Sequence, residues 1–203
     1  AHVTSCNVAC GGHTGDAVTM RDTLLAAQAA GVVCGAHPSY PDREGFGRRA
    51  HGIGREALRT ALAGQIGALR DIAKTVGVRI AHVKPHGALY NDAADDAALA
   101  ALVAGVVRDI APSLILVGLP GSAMASAAAD AGLAFAGEGF VDRAYTPAGR
   151  LVPRREEGAM ITDTAAQVVQ ALALAEGTPF AARGGELTMK ADTLCLHGDS
   201  PGA

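Results

Sequence analysis

Arg79-Ile80-Ala81-His82-Val83-Lys84-Pro85-His86-Gly87-Ala88-Leu89-Tyr90-Asn91 passes within a few residues from a short β-rich run to a dense polar cluster. The run, Arg79–Lys84, lies between two helical patterns and reads as a buried strand whose carboxyl end carries chemistry. Upstream, Leu58, Leu62, Ile66, Leu69, Ile72 and Val76 step by three or four through Arg55–Val76 and form one apolar stripe. Gly77 then stands where a left-handed residue closes a helix. Downstream, Leu99, Leu102, Val103, Val106 and Ile110 repeat the period and predict a helix over Ala94–Ile110.

The same alternation extends to both ends of the chain. Further strands are expected at Val3–Ala9, Val32–Ala36, Leu114–Leu119, Leu133–Ala136 and Thr193–Leu196, and further helices at Asp16–Ala30, Ser122–Ala131 and Thr164–Glu176. Gly31 and Gly132 close two of those helices, and Gly184-Gly185 and residues 38–49 read as loops. Nearly continuous apolar strands alternating with helices predict an α/β fold with a parallel sheet, either open and doubly wound or closed into a barrel. At 203 residues and 49% hydrophobic, the chain can form one domain over 1–203. Aromatics are only 3%, so Ala, Val, Leu and Ile must build the core.

Composition excludes several partners. A formal charge of −3 without a basic stripe argues against nucleic acid. The longest apolar run, Ala97–Val107, is too short to cross a bilayer and stops at Arg108. With no signal peptide visible, a soluble, cytoplasmic protein is expected. The start at Ala1-His2-Val3 and the stop at Ser200-Pro201-Gly202-Ala203 read as a chain cut at both ends. Cys6, Cys10, Cys34 and Cys195 lack Cys-x-x-Cys spacing and read as reduced thiols.

Polar residues gather where strands end. His13 lies in the Gly-rich turn Gly11-Gly12-His13-Thr14-Gly15-Asp16, where bare backbone N–H groups can meet an anion; a tight turn and a helix cap at Asp16 explain the same residues. His37 precedes Pro38, and the loop after it carries Asp42, Glu44, Arg48 and Arg49, as solvated loops also do. Lys84 and His86 pair a fixed positive charge with a titratable base. The run before Lys84 looks buried, so the ammonium needs a partner, Asp142 or Glu138. Asp142-Arg143 and His197-Gly198-Asp199 complete the set, and a structural ion pair is the plain alternative for the former. His2, His51 and His82 read as incidental. Four histidines with several carboxylates could hold a divalent metal, yet no His-Glu-x-x-His occurs, nor a P-loop, a Gly-x-Gly-x-x-Gly or a Gly-x-Ser-x-Gly elbow. The residues alone indicate an α/β hydrolytic or lyase-type enzyme with a His/Asp/Lys site.

The blocks Asn7–Asp16, Gly35–Asp42, Gly45-Phe46-Gly47-Arg48-Arg49, Val83–Asn91, Asp142-Arg143-Ala144-Tyr145 and Cys195–Gly202, in this order, resemble the LamB/YcsF family. The resemblance implies an irregular, seven-stranded β/α barrel of the glycoside hydrolase/deacetylase type, with its first strand and last helix missing here. It also implies the activity of the A component of 5-oxoprolinase: ATP-dependent hydrolysis of 5-oxo-L-proline to L-glutamate, with companion subunits B and C. The family's opening Asp-Leu-Asn-x-Asp-x-Gly-Glu segment is not found, and Gly12 stands where an aromatic residue is frequent, which implies a wider pocket mouth. On this reading Lys84, His86, His37 and His13 are catalytic, and Arg48, Arg49, Tyr90, Asn91 and Arg143 bind substrate or phosphate. Asp16, Asp42, Asp142, Glu138, His197 and Asp199 orient the bases or hold the Mg²⁺ of a nucleotide. The expected cofactor is ATP, and homo-oligomerisation stays open. Two other readings remain: a stand-alone metal-dependent amidase or sugar deacetylase, and a non-catalytic binding subunit.

Overall fold

The computed structural model describes residues 2–49 and 52–198. In chain order its first elements are β1 (Ser5–Ala9), α1 (Ala17–Ala29), β2 (Val33–His37), α2 (Arg55–Thr75), β3 (Ile80–Val83), α3 (Gly87–Asp95) and α4 (Ala97–Ile110). Then follow β4 (Ile115–Gly118), α5 (Ala123–Asp130), β5 (Phe135–Phe140), α6 (Thr164–Glu176), β6 (Pro179–Ala182), β7 (Gly185–Thr188) and β8 (Thr193–Cys195). Six strands form one parallel sheet in the order β1-β2-β3-β4-β5-β8, and β6 and β7 pair as a separate antiparallel hairpin.

All six strands read from the sequence are present. Three of the helices, α1, α4 and α6, start where a side chain satisfies the first free N–H groups. Asp16 and Thr19 form a reciprocal capping box on α1, Asp96 accepts from Ala98 and Leu99 of α4, and Asp163 accepts from Ala166 of α6. Gly31, Gly77 and Gly132 are left-handed, as their place after α1, α2 and α5 requires.

One expectation is corrected and three details are added. The helix expected over Ala94–Ile110 is two, because Asp96 is extended and caps α4. The segment Gly87–Asp95 is itself helical, which places Tyr90 and Asn91 on α3. The loop at Gly184 is the turn of a hairpin, with Gly184 in the left-handed region between β6 and β7. The parallel sheet holds six strands among the described residues, with β1 and β8 as its edges. It curls into a half-barrel.

The curl is visible in what the inner face brings together. Strand alternation puts Asn7, Gly35 and His82 on that face. His82 reaches across Gly35 to hydrogen-bond Asn7 Oδ1 at 2.8 Å. A Cβ on Gly35 would lie 2.0 Å from His82 Nε2, so only hydrogen fits beneath the imidazole. His82 is therefore a buried strut, not an incidental residue. The outer side belongs to one apolar cluster in which Leu24 of α1, Leu58, Leu62, Ile66 and Leu69 of α2, and Ala104 and Val107 of α4 meet Val8, Cys34, Ala36, Val83 and Leu116 of the strands. The small residues of α4 let α2 and α5 pack closely against it.

Replacing Gly35 with Ala is expected to lower stability by ~1–3 kcal/mol, the range for overpacking a close-packed interior. Urea denaturation of the two proteins measures this, and an unchanged midpoint would remove His82 from the strut role.

Candidate active site

The strands all point their carboxyl ends to one side, and there the polar clusters meet. Lys84, one residue past β3, is 5% exposed, which is untenable for a lone ammonium. Its Nζ lies 2.7 Å from Glu138 Oε1 on β5 and donates to Cys195 Sγ on β8 at 3.2 Å. Burial works to lower the Lys84 pKa, but Glu138 and then Cys195 outweigh it and the net shift is upward. The lysine is thus a permanent cation. Phe140 stands 4.9 Å from Nζ, and the Tyr90 ring of α3 lies 5.9 Å away. Glu138 Oε2 and the Tyr90 hydroxyl are buried beside it. Burial first, then the Glu138 charge, raises the Tyr90 phenol well above its ordinary value, so it stays protonated.

Three histidines adjoin this pair. His37 Nδ1 is 2.7 Å from the Lys84 carbonyl, and His37 Nε2 is 3.0 Å from His86 Nδ1. His86 Nε2 lies 2.9 Å from the carbonyl of Phe46. The His13 ring stacks on His86 with centroids 3.8 Å apart and planes inclined by 12°. Burial first, then neighbouring positive charge, pushes His13 down to about 3. Burial likewise holds His86 at about 4 and His37 well below the usual imidazole value.

Loop 38–49 forms the rim. Gln65 of α2 clamps it by accepting from Ser39 N at 3.0 Å and donating to Ser39 O at 2.9 Å. Asp42 accepts from Gly45 N and from Arg49, so these two predicted site residues staple the loop to itself. Gly47 accepts from Ala88 N, and Gly87, at φ 61°, lies so close that a Cβ would fall 2.3 Å from Gly47 O. This backbone contact seats the rim on the start of α3. Arg48 is exposed, with its guanidinium carbon 5.1 Å from the centre of the Phe46 ring.

At the far edge His197 donates its backbone N–H to Asp142, and its Nδ1 lies 3.0 Å from both Asp142 oxygens. A carboxylate only accepts, so Nδ1 carries the hydrogen and Nε2 keeps its lone pair in the neutral ring. Phe140 stacks beneath His197 at 5.6 Å and links this dyad to Lys84.

The structure therefore gathers Lys84, Glu138, His13, His37, His86, Tyr90, His197 and Asp142, with Arg48 at the rim. Other residues named above serve elsewhere. Asp16 caps α1 in solvent, Asn91 bonds its own helix at Gly87 O, and the buried Arg143 holds the carbonyls of Val152 and Ala159. Asp199 lies outside the described residues, as does His51. Gly12 does not widen a mouth: a Cβ there would meet Gln65 Oε1 at 2.3 Å and Ser39 Oγ at 2.5 Å. Sequence reading missed Cys195 as a lysine partner, and it missed two buried clamps, Gln65 and Gln170. Gln170 of α6 donates to Phe140 O at 2.7 Å and Arg143 O at 2.8 Å. The available signal was a glutamine inside an apolar helical stripe, which needs a buried partner.

Among the described residues no three His, Cys, Asp or Glu side chains converge to hold a metal ion. Of the carboxylates considered for that task, the described ones, Asp16, Asp42, Glu138 and Asp142, contact Thr19, Arg49, Lys84 and His197 respectively. His13 is 4% exposed with Nδ1 unpartnered, and the positive charges of Arg48 and Arg43 act on it.

Two stability outcomes follow. Lys84→Met or Glu138→Gln alone should cost ~3–5 kcal/mol by stranding a buried charge or its partner, whereas the double variant should cost less than the sum of the two. Chemical denaturation of the four proteins reads this cycle. His82, held at about 4 by burial and then by Lys84, stays neutral while the unfolded chain takes up a proton near the ordinary 6.5. More protons on the unfolded state mean that stability is full above pH 6.5 and falls as the pH drops toward 4. Denaturation midpoints from pH 7 to pH 4.5 should show this fall, and His82→Asn should make it shallower by one histidine's share, His13, His37 and His86 supplying the rest.

Known proteins share both the sequence and the shape of this site's scaffold. The LamB/YcsF family model matches residues 1–203. The A subunit of 5-oxoprolinase from Methylococcus capsulatus is 50% identical over 202 residues, which cover 99% of this chain and 78% of that protein. That of Bordetella pertussis is 49% identical over 202 residues, covering 99% and 80%. The crystal structure of a lactam utilization protein from Thermus thermophilus superimposes with a TM-score of 0.89 at 41% identity, covering 96% of this chain and 79% of that one. With a family match along its whole length and relatives at half identity, the chain belongs to the LamB/YcsF family.

Proposed function

We propose that the chain is the A component of an ATP-dependent 5-oxoprolinase, which hydrolyses the lactam of 5-oxo-L-proline to L-glutamate with cleavage of ATP to ADP and phosphate. It works in the cytoplasm with companion subunits B and C, and no helix among the described residues is long and apolar enough to cross a membrane. The observation that carries the reading is the buried Lys84–Glu138 pair, walled by imidazoles at the carboxyl ends of the sheet. The names of the relatives, each the A subunit of a 5-oxoprolinase, and of the structural neighbour, a lactam utilization protein, agree with it. We place the strand that would close the half-barrel against one of its edges, β1 or β8.

A five-membered lactam carries a poor electrophile, so its hydrolysis needs three things: a cation for the developing oxyanion, a base for water and an acid for the leaving nitrogen. Lys84 is the cation, fixed by Glu138 and Cys195. His197 is the base, because Asp142 holds its Nδ1–H and leaves Nε2 to take a proton from water. Arg48 and His13 receive the anionic groups, the substrate carboxylate or a phosphoryl oxygen. ATP, when bound, would supply a phosphoryl group that activates the lactam carbonyl toward water. Any Mg²⁺ travels with the nucleotide, since the chain's own carboxylates are engaged.

The test is glutamate release from 5-oxoproline by the complex of A, B and C. Release is expected only with ATP and all three subunits. Hydrolysis of acetylated sugars by this chain alone, without ATP, would replace the reading with a deacetylase. His197→Gln should lower kcat by ~10²–10⁴-fold through loss of general-base catalysis, with the complex still assembled. Asp142→Asn should weaken kcat as well, because the amide no longer fixes the tautomer.

A further inference from the structure

Hydrogen counting along the inner histidines leads beyond this scheme. Three contacts run in series: the Lys84 carbonyl to His37 Nδ1 at 2.7 Å, His37 Nε2 to His86 Nδ1 at 3.0 Å, and His86 Nε2 to the Phe46 carbonyl at 2.9 Å. A carbonyl oxygen only accepts, so each end of the chain needs a ring N–H. Two neutral imidazoles own one N–H apiece, and both are then spent on the carbonyls. The central nitrogens face each other with two lone pairs and nothing between them. The series is complete only with one proton more, shared between the rings.

We propose that the His37–His86 pair is a proton store, empty in the free protein, filled when an anionic ligand binds, and discharged onto the lactam nitrogen as the ring opens. The surroundings explain why it stands empty. Lys84 from β3, Arg48 from the rim loop, His13 from the turn after β1 and His197 from beyond β8 all face it with positive or protonatable groups. Cys10 accepts the His37 backbone N–H, and its thiol is held up at about 12 by burial, so it brings no negative charge. Burial resists the extra charge, and both rings are accordingly poor bases in the free protein.

An anion reverses that balance. His13 stacks on His86 and has a buried Nδ1 without a partner, and Arg48 lies beside it. A carboxylate or phosphoryl group received there cancels the local positive field, and the proton then gains a hydrogen bond already built to length. The filling group has one chemistry, an anionic oxygen, whether it comes from the substrate or from phosphate. In the discharge step, which rests on the lactam-hydrolysis reading above, the C–N bond of the tetrahedral intermediate breaks. Its electron pair stays on nitrogen and takes the shared proton, while the hydroxyl brought by water closes to a carbonyl and gives up its proton to solvent. The amine is then free, the pair returns to its two-proton state, and the phosphoryl group stays on the acyl oxygen until a second water releases it as inorganic phosphate. His197 passes the proton taken from the first water to solvent, so charge and hydrogen balance.

Nitrogen-15 NMR of the histidine-labelled protein, free and with saturating sodium sulfate or 5-oxoproline, reads the store directly. At neutral pH the free protein should show His37 protonated at Nδ1 and His86 at Nε2, and either anion should add one proton shared by His37 Nε2 and His86 Nδ1. Calorimetry in buffers of different ionisation enthalpy should register uptake of about one proton per chain on binding, and none in His86→Gln. Sulfate-linked uptake without glutamate release in the assay above would keep the store and remove the lactam reading. Glutamate release without uptake for either anion would overturn the store and leave the lactam reading standing. Failure of both anions to bind or to add a proton, or a free protein with His86 protonated only at Nδ1, would also overturn it.

Discussion

The ion pair between Lys84 and Glu138 governs this molecule. It joins the end of β3 to β5 across the intervening β4 at 2.7 Å, tying the carboxyl ends of the two strands together on the inside of the curl. In return, the pair keeps the inside of the curl from being an uncompensated polar cavity. Burial of two ions is costly and is offset only when geometry and additional partners are good, which is why Cys195 and the aromatic faces of Phe140 and Tyr90 crowd around the ammonium.

This constraint sorts the chemistry. Groups on the carboxyl side of the strands divide into a buried cation, an imidazole held by Asp142, and two imidazoles held by backbone carbonyls. Each has a different electrical setting because its immediate partners differ: a carboxylate for Lys84 and His197, and backbone carbonyls for His37 and His86. Imidazoles of one type thereby stand in different surroundings within one half-barrel.

Much of this was legible in the residues. The six strands follow from short apolar runs, and the assembly of His13, His37, Lys84, His86 and His197 at one side follows from parallel topology, since each sits just after a strand. The need of Lys84 for a partner was legible too, and Glu138 was one of two candidates. What sequence did not disclose depends on exact positions. Gly87–Asp95 has no long apolar period, so α3 hid inside a polar cluster to which no element was assigned. Asp96 reads as an ordinary helical residue until its extended backbone shows it capping α4. Asp42 and Arg49 looked like ligands for substrate, and only coordinates reveal that they satisfy each other. Arg143 was similarly spent on carbonyls that lie many residues ahead in the chain.

The two glutamines carry a different lesson. Gln65 holds loop 38–49 and Gln170 holds the segment after β5, and both touch their loops only through main-chain N–H or C=O groups. Such grips are indifferent to which side chains the loops display. Specificity at the mouth of the half-barrel can therefore drift by substitution in the exposed Phe46 or Arg48 while the anchoring stays intact, so the fold separates what is allowed to evolve from what must stay put.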